Sequence, residues 1–371
     1  MRERQIAGVP RGYSLALNPL VGAANRLLGW PERWLMEPWV RGISIDRPIF
    51  VIGAFRSGTT ILEQILTGHP QVGHFSFFTN AIYRIPVTGY HLMRWLGRWR
   101  VVDTAAQAYL HNPRIAMTPY SAFECEWVWG QAGKDLWDPA CPDLTTTADF
   151  VNPAFERMLR STIRRHLWLQ GATRFLNKNP IHLLRLGYLH RLFPDALFVY
   201  ILRDPTVTVY SHYRMTRQIA AQIHVDPRAR QAVETGLHLD VLTPRIQTRH
   251  YAETVAMNQE HPLLGIAHQT RELHLTALDT LAASPALAAR VLPVHYEAIM
   301  ADPGAELARI WAFVELDDTK AADITRRYAV QLSMPPPIHL TPDEARWQAR
   351  VRDLVAPVPE RFAAFAARRL S

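Results

Sequence analysis

The longest uninterrupted apolar runs in the chain are short. "IFVIG" at Ile49–Gly53 and "ALFVYILRD" at Ala196–Asp204 are β-rich and continuous, the pattern of strands buried on both faces of a parallel sheet. "TRFLNKN" at Thr173–Asn179 and "RVLPVHYE" at Arg290–Glu297 read as two further strands. Between them the apolar spacing changes to the helical period. "TTILEQIL" opens a helix after the first strand, and "IHLLRLGYLHRLF" sets Leu183, Leu186, Leu189 and Phe193 at helical spacing before Pro194 and Asp195 turn the chain. "TVTVYSHYRM" follows as a helix despite its β-branched residues. Asp302 and Pro303 open another over "GAELARIWAFVEL". Strands alternating with helices predict an α/β fold of P-loop type, three layers with a central parallel sheet flanked by helices.

The intervening stretches differ in composition. Residues 84–170 carry Trp95, Trp99, Trp127, Trp129, Trp137 and Trp168, and residues 215–290 are helical by pattern and rich in His. Both read as insertions covering one end of the sheet, within one domain spanning 47–350. An amphipathic N-terminal segment (1–46) precedes this domain and a C-terminal helix (351–371) follows it. In the N-terminal segment, the uncharged stretch "GYSLALNPLVGAAN" is too short to span a bilayer and is interrupted by Pro19. It runs into Trp30, Trp34 and Trp39 among basic residues. Over residues 13–40 this mixture suits either a helix lying on a membrane surface or one packed on its own domain or on a second copy in a homodimer.

Composition narrows the partners. The chain has 371 residues, 48% of them apolar, a net charge of +8 and a pI near 9.7. That is ample for a sizeable core and favours anionic partners. Basic residues are mostly scattered Arg, with no Lys/Arg tract interleaved with aromatics, which argues against nucleic acid. Cys125 and Cys141 have no metal-ligand spacing and form no disulfide framework; two reduced thiols fit a cytoplasmic compartment.

The candidate chemistry begins at "GAFRSGTT". Gly53, four intervening residues and Gly58 lie between a strand and a helix, the layout of a phosphate-gripping loop. The backbone N–H groups and the positive end of the helix attract an anion. Thr59 and Thr60 add hydroxyls, and Arg56 adds a permanent charge in a planar fork. Thr59 stands where a nucleotide triphosphatase carries its lysine, and no clear metal-binding acid sits at a strand end. Both features disfavour a P-loop kinase or nucleotide hydrolase, the first alternative. Arg56, Lys178 and Arg203 all fall at carboxyl ends of strands, where doubly wound sheets bind ligands.

"RPIFVIGAFRSGTTILEQILTGHPQV" resembles the 5′-phosphosulfate loop of sulfotransferases that use 3′-phosphoadenosine 5′-phosphosulfate, in their bacterial and tyrosyl-protein branches, with Phe55 in place of the usual Pro. "FVYILRDPTVTVYSHYR" resembles that family's 3′-phosphate segment, "LNKNPIHLL" its Lys-x-Pro segment, and "VHYEAIMADPGAELARIWAFVEL" its late strand-helix element. The resemblance implies metal-free, in-line transfer of a sulfuryl group to a hydroxyl or amine, releasing adenosine 3′,5′-bisphosphate. Arg56, Ser57, Gly58, Thr59 and Thr60 would cradle the 5′-phosphosulfate, and Lys178 would approach the transferring group. Arg203 and Ser211 would bind the 3′-phosphate, with Arg214 three residues on along the same helix face. Taken singly, Arg203 also reads as an ion pair at a helix start, Lys178 as a solvated strand end, and Ser211 as a hydroxyl bonded to its own helix.

The general base is the least defined part of this pattern. Relatives place a Glu seven or eight residues after the His of an "HP" pair; here those positions are Ser76 and Phe77. His74 and His182 are the candidates, with Glu124 and Glu126 open from the substrate side. Loss of that Glu also leaves room for a catalytically inactive, anion-binding relative. The acceptor, whether a small molecule, lipid or glycan, is not legible.

Overall fold

The computed structural model describes residues 19–98, 107–109, 112–133, 143–225 and 246–370. Among these residues seven strands are formed: β1 (Ile49–Ile52), β2 (Val72–His74), β3 (Gln107–Tyr109), β4 (Asn112–Met117), β5 (Arg174–Lys178), β6 (Leu197–Leu202) and β7 (Val291–His295). Five of them make a parallel sheet in the order β2-β5-β1-β6-β7; β3 and β4 form a separate antiparallel ribbon. The four strands expected from sequence are all present. The three-residue β2 lies under "QVGH" and has too few residues to show a period.

β1 sits at the centre, and its residues alternate between the two faces although all are apolar. Phe50 and Ile52 join a core with Phe175, Phe198 and Tyr200, whereas Ile49 and Val51 join the opposite core with Leu176, Val199 and Ile201. The first core is completed by Trp129, Phe155 and Ile163, the second by Leu62, Ile65 and Trp311. The Trp-rich region therefore does more than cover an end of the sheet. Its helix Pro153–Gln170, started by the Asn152 side chain and closed by Gly171 at φ 62°, packs along β2 and β5. Fully enclosed side chains of this size each contribute about 1.5–3 kcal/mol of transfer free energy. Trp95 and Trp168, by contrast, remain exposed.

Between β5 and β6 the expected single helix is split. Pro180–Leu184 forms a 3-10 turn and Leu186–Leu192 the helix proper. The Asn179 side chain accepts from Ile181 N at 2.8 Å and so caps the turn. Arg185, with φ −119°, breaks the helical run; its guanidinium is anchored on Glu126 at 2.5 Å. At the far end, the expected C-terminal helix from residue 351 is two, Gln348–Val355 and Pro357–Leu370.

The first helix runs Pro19–Val40, and one face of it is fastened to the domain. Buried Glu32 accepts from Val87 N (3.2 Å) and Thr88 N (2.8 Å) and pairs with buried Arg165 at 2.8 Å. Its other residues Leu27, Trp30, Trp34, Leu35 and Trp39 are exposed. No helix among the described residues is long and apolar enough to cross a membrane. Cys141, Trp99, Trp137, residues 1–18 and part of the His-rich region (226–245) lie outside the described residues.

Candidate active site

The loop after β1 enters the nine-residue helix Thr59–Thr67, which starts without a side-chain cap and has no acid in its first turn. Its first N–H groups and its positive end are thus left for an anion. Gly58 has φ 95°, and a Cβ there would stand 2.5 Å from the Tyr296 ring, so both the backbone and the space demand glycine. Arg56 itself has φ 68°, an uncommon conformation for a residue with a side chain. Ser57 is enclosed, its hydroxyl donating to Ala54 O at 2.6 Å, and so closes the loop on itself. Thr59 is likewise buried.

The loop touches the segment after β6 directly. Arg56 Nε donates to Ser211 Oγ at 3.2 Å, and Arg203 Nη1 donates to Arg56 O at 3.2 Å. The Arg203 guanidinium lies 4.7 Å from the centre of the Tyr296 ring, the ring that also packs on Gly58. Asp204 accepts from Thr206 N and Val207 N, which starts the helix Pro205–Val225 and presents Ser211 on it. Arg56, Arg203, Ser211, Arg214 and Tyr296 together line a cavity of about 560 Å³, within the usual range for a small-molecule site. Arg203 has no carboxylate partner among the described residues. Arg214 does: its fork grips Glu344 at 2.9 and 2.6 Å, and Nη2 also donates to His339 O. Arg214 is on the cavity wall as the helix spacing predicts, but its charge is already matched.

Lys178 stands apart from that lining. It is paired across β1 with Val51, one residue short of the end of that strand, and is buried. Its ammonium donates to Glu124 Oε1 at 2.5 Å and lies 3.8 Å from Glu63 Oε2. The solvated strand end considered from sequence is therefore excluded. Glu63 escaped the sequence reading; the available signal was an acid on the apolar face of "TTILEQIL", four residues after Thr59 on the buried side. Burial raises its carboxyl from 4.5 to about 7, against the pull of Lys178.

The two candidate histidines do not line the cavity. His182 is a correction. It is fully buried, its Nε2 bonded to Asn177 Oδ1 at 2.8 Å and its ring set edge-on to Trp129 and Phe50. Burial, then the charges of Arg185 and Lys178, hold its pKa well below the ordinary value. Among the described residues the ring is enclosed, and its Nε2 is spent on Asn177 rather than turned to the cavity. His74 is half-buried, with Nε2 on Tyr120 O at 3.1 Å; burial lowers its pKa as well. Because Tyr120 O can only accept, His74 Nε2 carries the proton and Nδ1 holds the lone pair. Glu126 is engaged elsewhere, on Arg185 and on Asn179 Nδ2 at 2.6 Å.

A family profile described as "Sulfotransferase family" matches residues 48–243, more than half of the chain. The chain is similar to the omega-hydroxy-beta-dihydromenaquinone-9 sulfotransferase Stf3 of Mycobacterium bovis, 25% identical over 244 residues, covering 58% of each. It is similar to the protein-tyrosine sulfotransferase of Drosophila melanogaster, 26% identical over 197 residues, 52% of this chain and 31% of that protein. The chain thus spans little more than half the length of the first of these relatives and under a third of the second. Among solved structures, sulfotransferase STF9 from Mycobacterium avium has a TM-score of 0.58 at 16% identity, covering 96% of this chain and 86% of that one. For sulfotransferase STF1 from Mycobacterium tuberculosis H37Rv the values are 0.52 and 17%, with 95% and 88% covered. These two likenesses show the fold, which is the parallel P-loop-type sheet described above. The profile match, spread over the loop, the Lys178 strand and the Arg203 strand, shows that the chain belongs to the sulfotransferase family.

Proposed function

We propose that this protein transfers a sulfuryl group from 3′-phosphoadenosine 5′-phosphosulfate to a hydroxyl on an apolar acceptor. The observation that carries the reading is the meeting of Arg56, Arg203 and Ser211 on one cavity wall, from two strand ends that are adjacent in the sheet but 147 and 155 residues apart in sequence. The residues fit the donor. An uncapped helix start and a loop whose Gly58 leaves no room for a Cβ suit the 5′-phosphosulfate, and Arg203 with Ser211 suits a second anionic group nearby.

When bound, the donor supplies an activated sulfuryl group on a phosphate leaving group. Arg56 and the loop N–H groups neutralise charge on that phosphate. Gly58 and Tyr296 fix the loop so that the donors are in place before reaction rather than reorganised during it. Arg203 and Ser211 hold the far end of the nucleotide and so set the direction of transfer. Lys178, at the end of β5 beside β1 and held between two carboxylates, would reach the bridging oxygen by a rotation of its flexible stem.

The first helix supports an apolar acceptor. Trp30 and Trp34, 71% and 68% exposed, lie with Leu27 on its outer face, among Arg26 and Arg33. Such a face suits the boundary of a lipid layer. The relative Stf3 is named for a menaquinone derivative. The test is incubation with sulfur-labelled donor and lipid extracts. Label appearing in an organic-phase product supports the reading. Adenosine 3′,5′-bisphosphate binding without label transfer to any acceptor would instead favour an inactive relative.

A further inference from the structure

We propose that Glu124 is the proton acceptor for the entering hydroxyl, positioned by Asn177 and paired through Lys178 with the buried Glu63. The assignment deepens the transfer reading above and rests on it. Lys178 bridges two carboxylates that the sequence holds 61 residues apart: Glu124 Oε1 at 2.5 Å and Glu63 Oε2 at 3.8 Å. The three groups are not equivalent. Lys178 and Glu63 side chains are each 3% exposed, whereas Glu124 is 28% exposed. Glu124 is the member of the trio that a substrate can reach.

The surroundings hold Glu124 there. Phe123 N donates to Phe75 O and Phe77 N donates to Ser121 O, both at 2.9 Å, with Ser76 and Ala122 bridged between. Residues 121–123 therefore run antiparallel to the segment that continues β2. Trp129 Nε1 (3.0 Å) and His182 Nε2 (2.8 Å) both donate to Asn177 Oδ1. That fixes the amide, leaving Nδ2 to donate to the carbonyls of Phe123 (3.3 Å) and Glu124 (3.4 Å). Cys125 then takes a left-handed φ of 53°, so the flanking acids part: Glu124 goes to Lys178 and Glu126 to Arg185 and Asn179. A pair of acids two residues apart is thereby divided into one reachable carboxylate and one enclosed one.

In the reaction, Glu124 takes the acceptor's proton as the new O–S bond forms. Lys178 and Arg56 meet the electron pair left on the phosphate oxygen as the old S–O bond breaks. Turning toward that oxygen, Lys178 withdraws from Glu124 and frees its carboxylate oxygen to accept the proton. Glu63, held near 7 by burial, gives Lys178 a second anchor and keeps it at the site.

The competing role for Glu124 is to neutralise a buried ammonium and nothing more. Glu124→Gln separates the two when measured for adenosine 3′,5′-bisphosphate binding by calorimetry and for single-turnover transfer to phenol, 4-chlorophenol and 4-nitrophenol at pH 8. Binding is expected within about threefold of wild type, and transfer to phenol reduced roughly 10²–10⁴-fold, the usual span for a general base. The loss should shrink to under about tenfold with 4-nitrophenol, which arrives already ionised and needs no base. If phenols are not taken, hydrolysis of the donor serves. There Glu124→Ala should lose activity and regain part of it with added formate, whereas a purely structural role would give no rescue. An equal loss across the phenols, a loss below about tenfold with phenol, or no formate rescue in the hydrolysis arm overturns the assignment. Should Glu124→Gln fail to fold, Glu124→Asp must keep most of the activity for the proposal to stand. Wild-type protein that does not bind the bisphosphate overturns the transfer reading itself, and this assignment with it.

Discussion

Replacing Arg203 with Ala removes one guanidinium and should separate two ligands that differ by a single phosphate. Arg203 lies at the end of β6 against the Tyr296 ring, donates to Arg56 O at 3.2 Å, and has no carboxylate among the described residues to hold it when the ligand is absent. Two charge-assisted bonds to a 3′-phosphate, at about 1.5 kcal/mol each for a half-buried site, give a loss near 3 kcal/mol. That is roughly a hundredfold in Kd for adenosine 3′,5′-bisphosphate. A ligand with only the 5′-phosphate loses just the support given to Arg56 O, about 1 kcal/mol or some fivefold. Calorimetric titration of wild type and Arg203→Ala with adenosine 3′,5′-bisphosphate and with adenosine 5′-monophosphate measures both. Equal losses for the two ligands would refute the assignment of Arg203 to the second phosphate.

Other outcomes follow from the same geometry. Gly58→Ala forces a side chain at φ 95° against the Tyr296 ring; it should abolish nucleotide binding and cost about 1–3 kcal/mol of stability, and unaltered binding by calorimetry would contradict the close fit. Glu63 has its folded pKa raised from 4.5 to about 7 by burial. The stability this gives is fully present below pH 4.5 and is lost as pH rises through about 7, a swing near 3 kcal/mol at 1.36 kcal/mol per unit. Urea denaturation of wild type should therefore weaken between pH 5 and 8 relative to Glu63→Gln; parallel curves would contradict the enclosed carboxyl. Trp30→Ser with Trp34→Ser should reduce co-sedimentation with anionic phosphatidylglycerol vesicles while leaving the melting temperature within a degree or two, because both rings are exposed. Unchanged sedimentation would remove the lipid-surface reading.

The parts of the molecule most legible in the sequence are those where local chemistry and global position agree. "IFVIGAFRSGTT" is at once a buried strand, a glycine turn and a helix start, and it folds as such. The alignment of Arg203 and Ser211 with Arg56 was legible as order along the chain, and the sheet register turns that order into contact. Roles set by tertiary packing were hidden. His182 sits beside Lys178 in sequence, yet its ring is turned into the Trp129 and Phe50 core, because the 3-10 turn started at Asn179 points it inward. Arg214 has the helix spacing for the site, but Glu344, 130 residues away, has already matched its charge. Glu63 was not singled out in the sequence; the packing of Thr59–Thr67 on β5 encloses it with Lys178. Glu124 and Glu126 could not be told apart without the left-handed turn at Cys125.

Central to all of this is the claim that Arg56, Arg203 and Ser211 form one site for a nucleotide carrying anionic groups at both ends. Thermal unfolding of the wild-type protein with adenosine 3′,5′-bisphosphate, beside ATP at the same concentration, tests it most directly. At a ligand concentration a hundred times Kd, the bisphosphate should add about 2.7 kcal/mol to the folded state and raise the melting temperature by several degrees, with ATP giving much less. No stabilisation by the bisphosphate, or a larger one by ATP, would contradict the account.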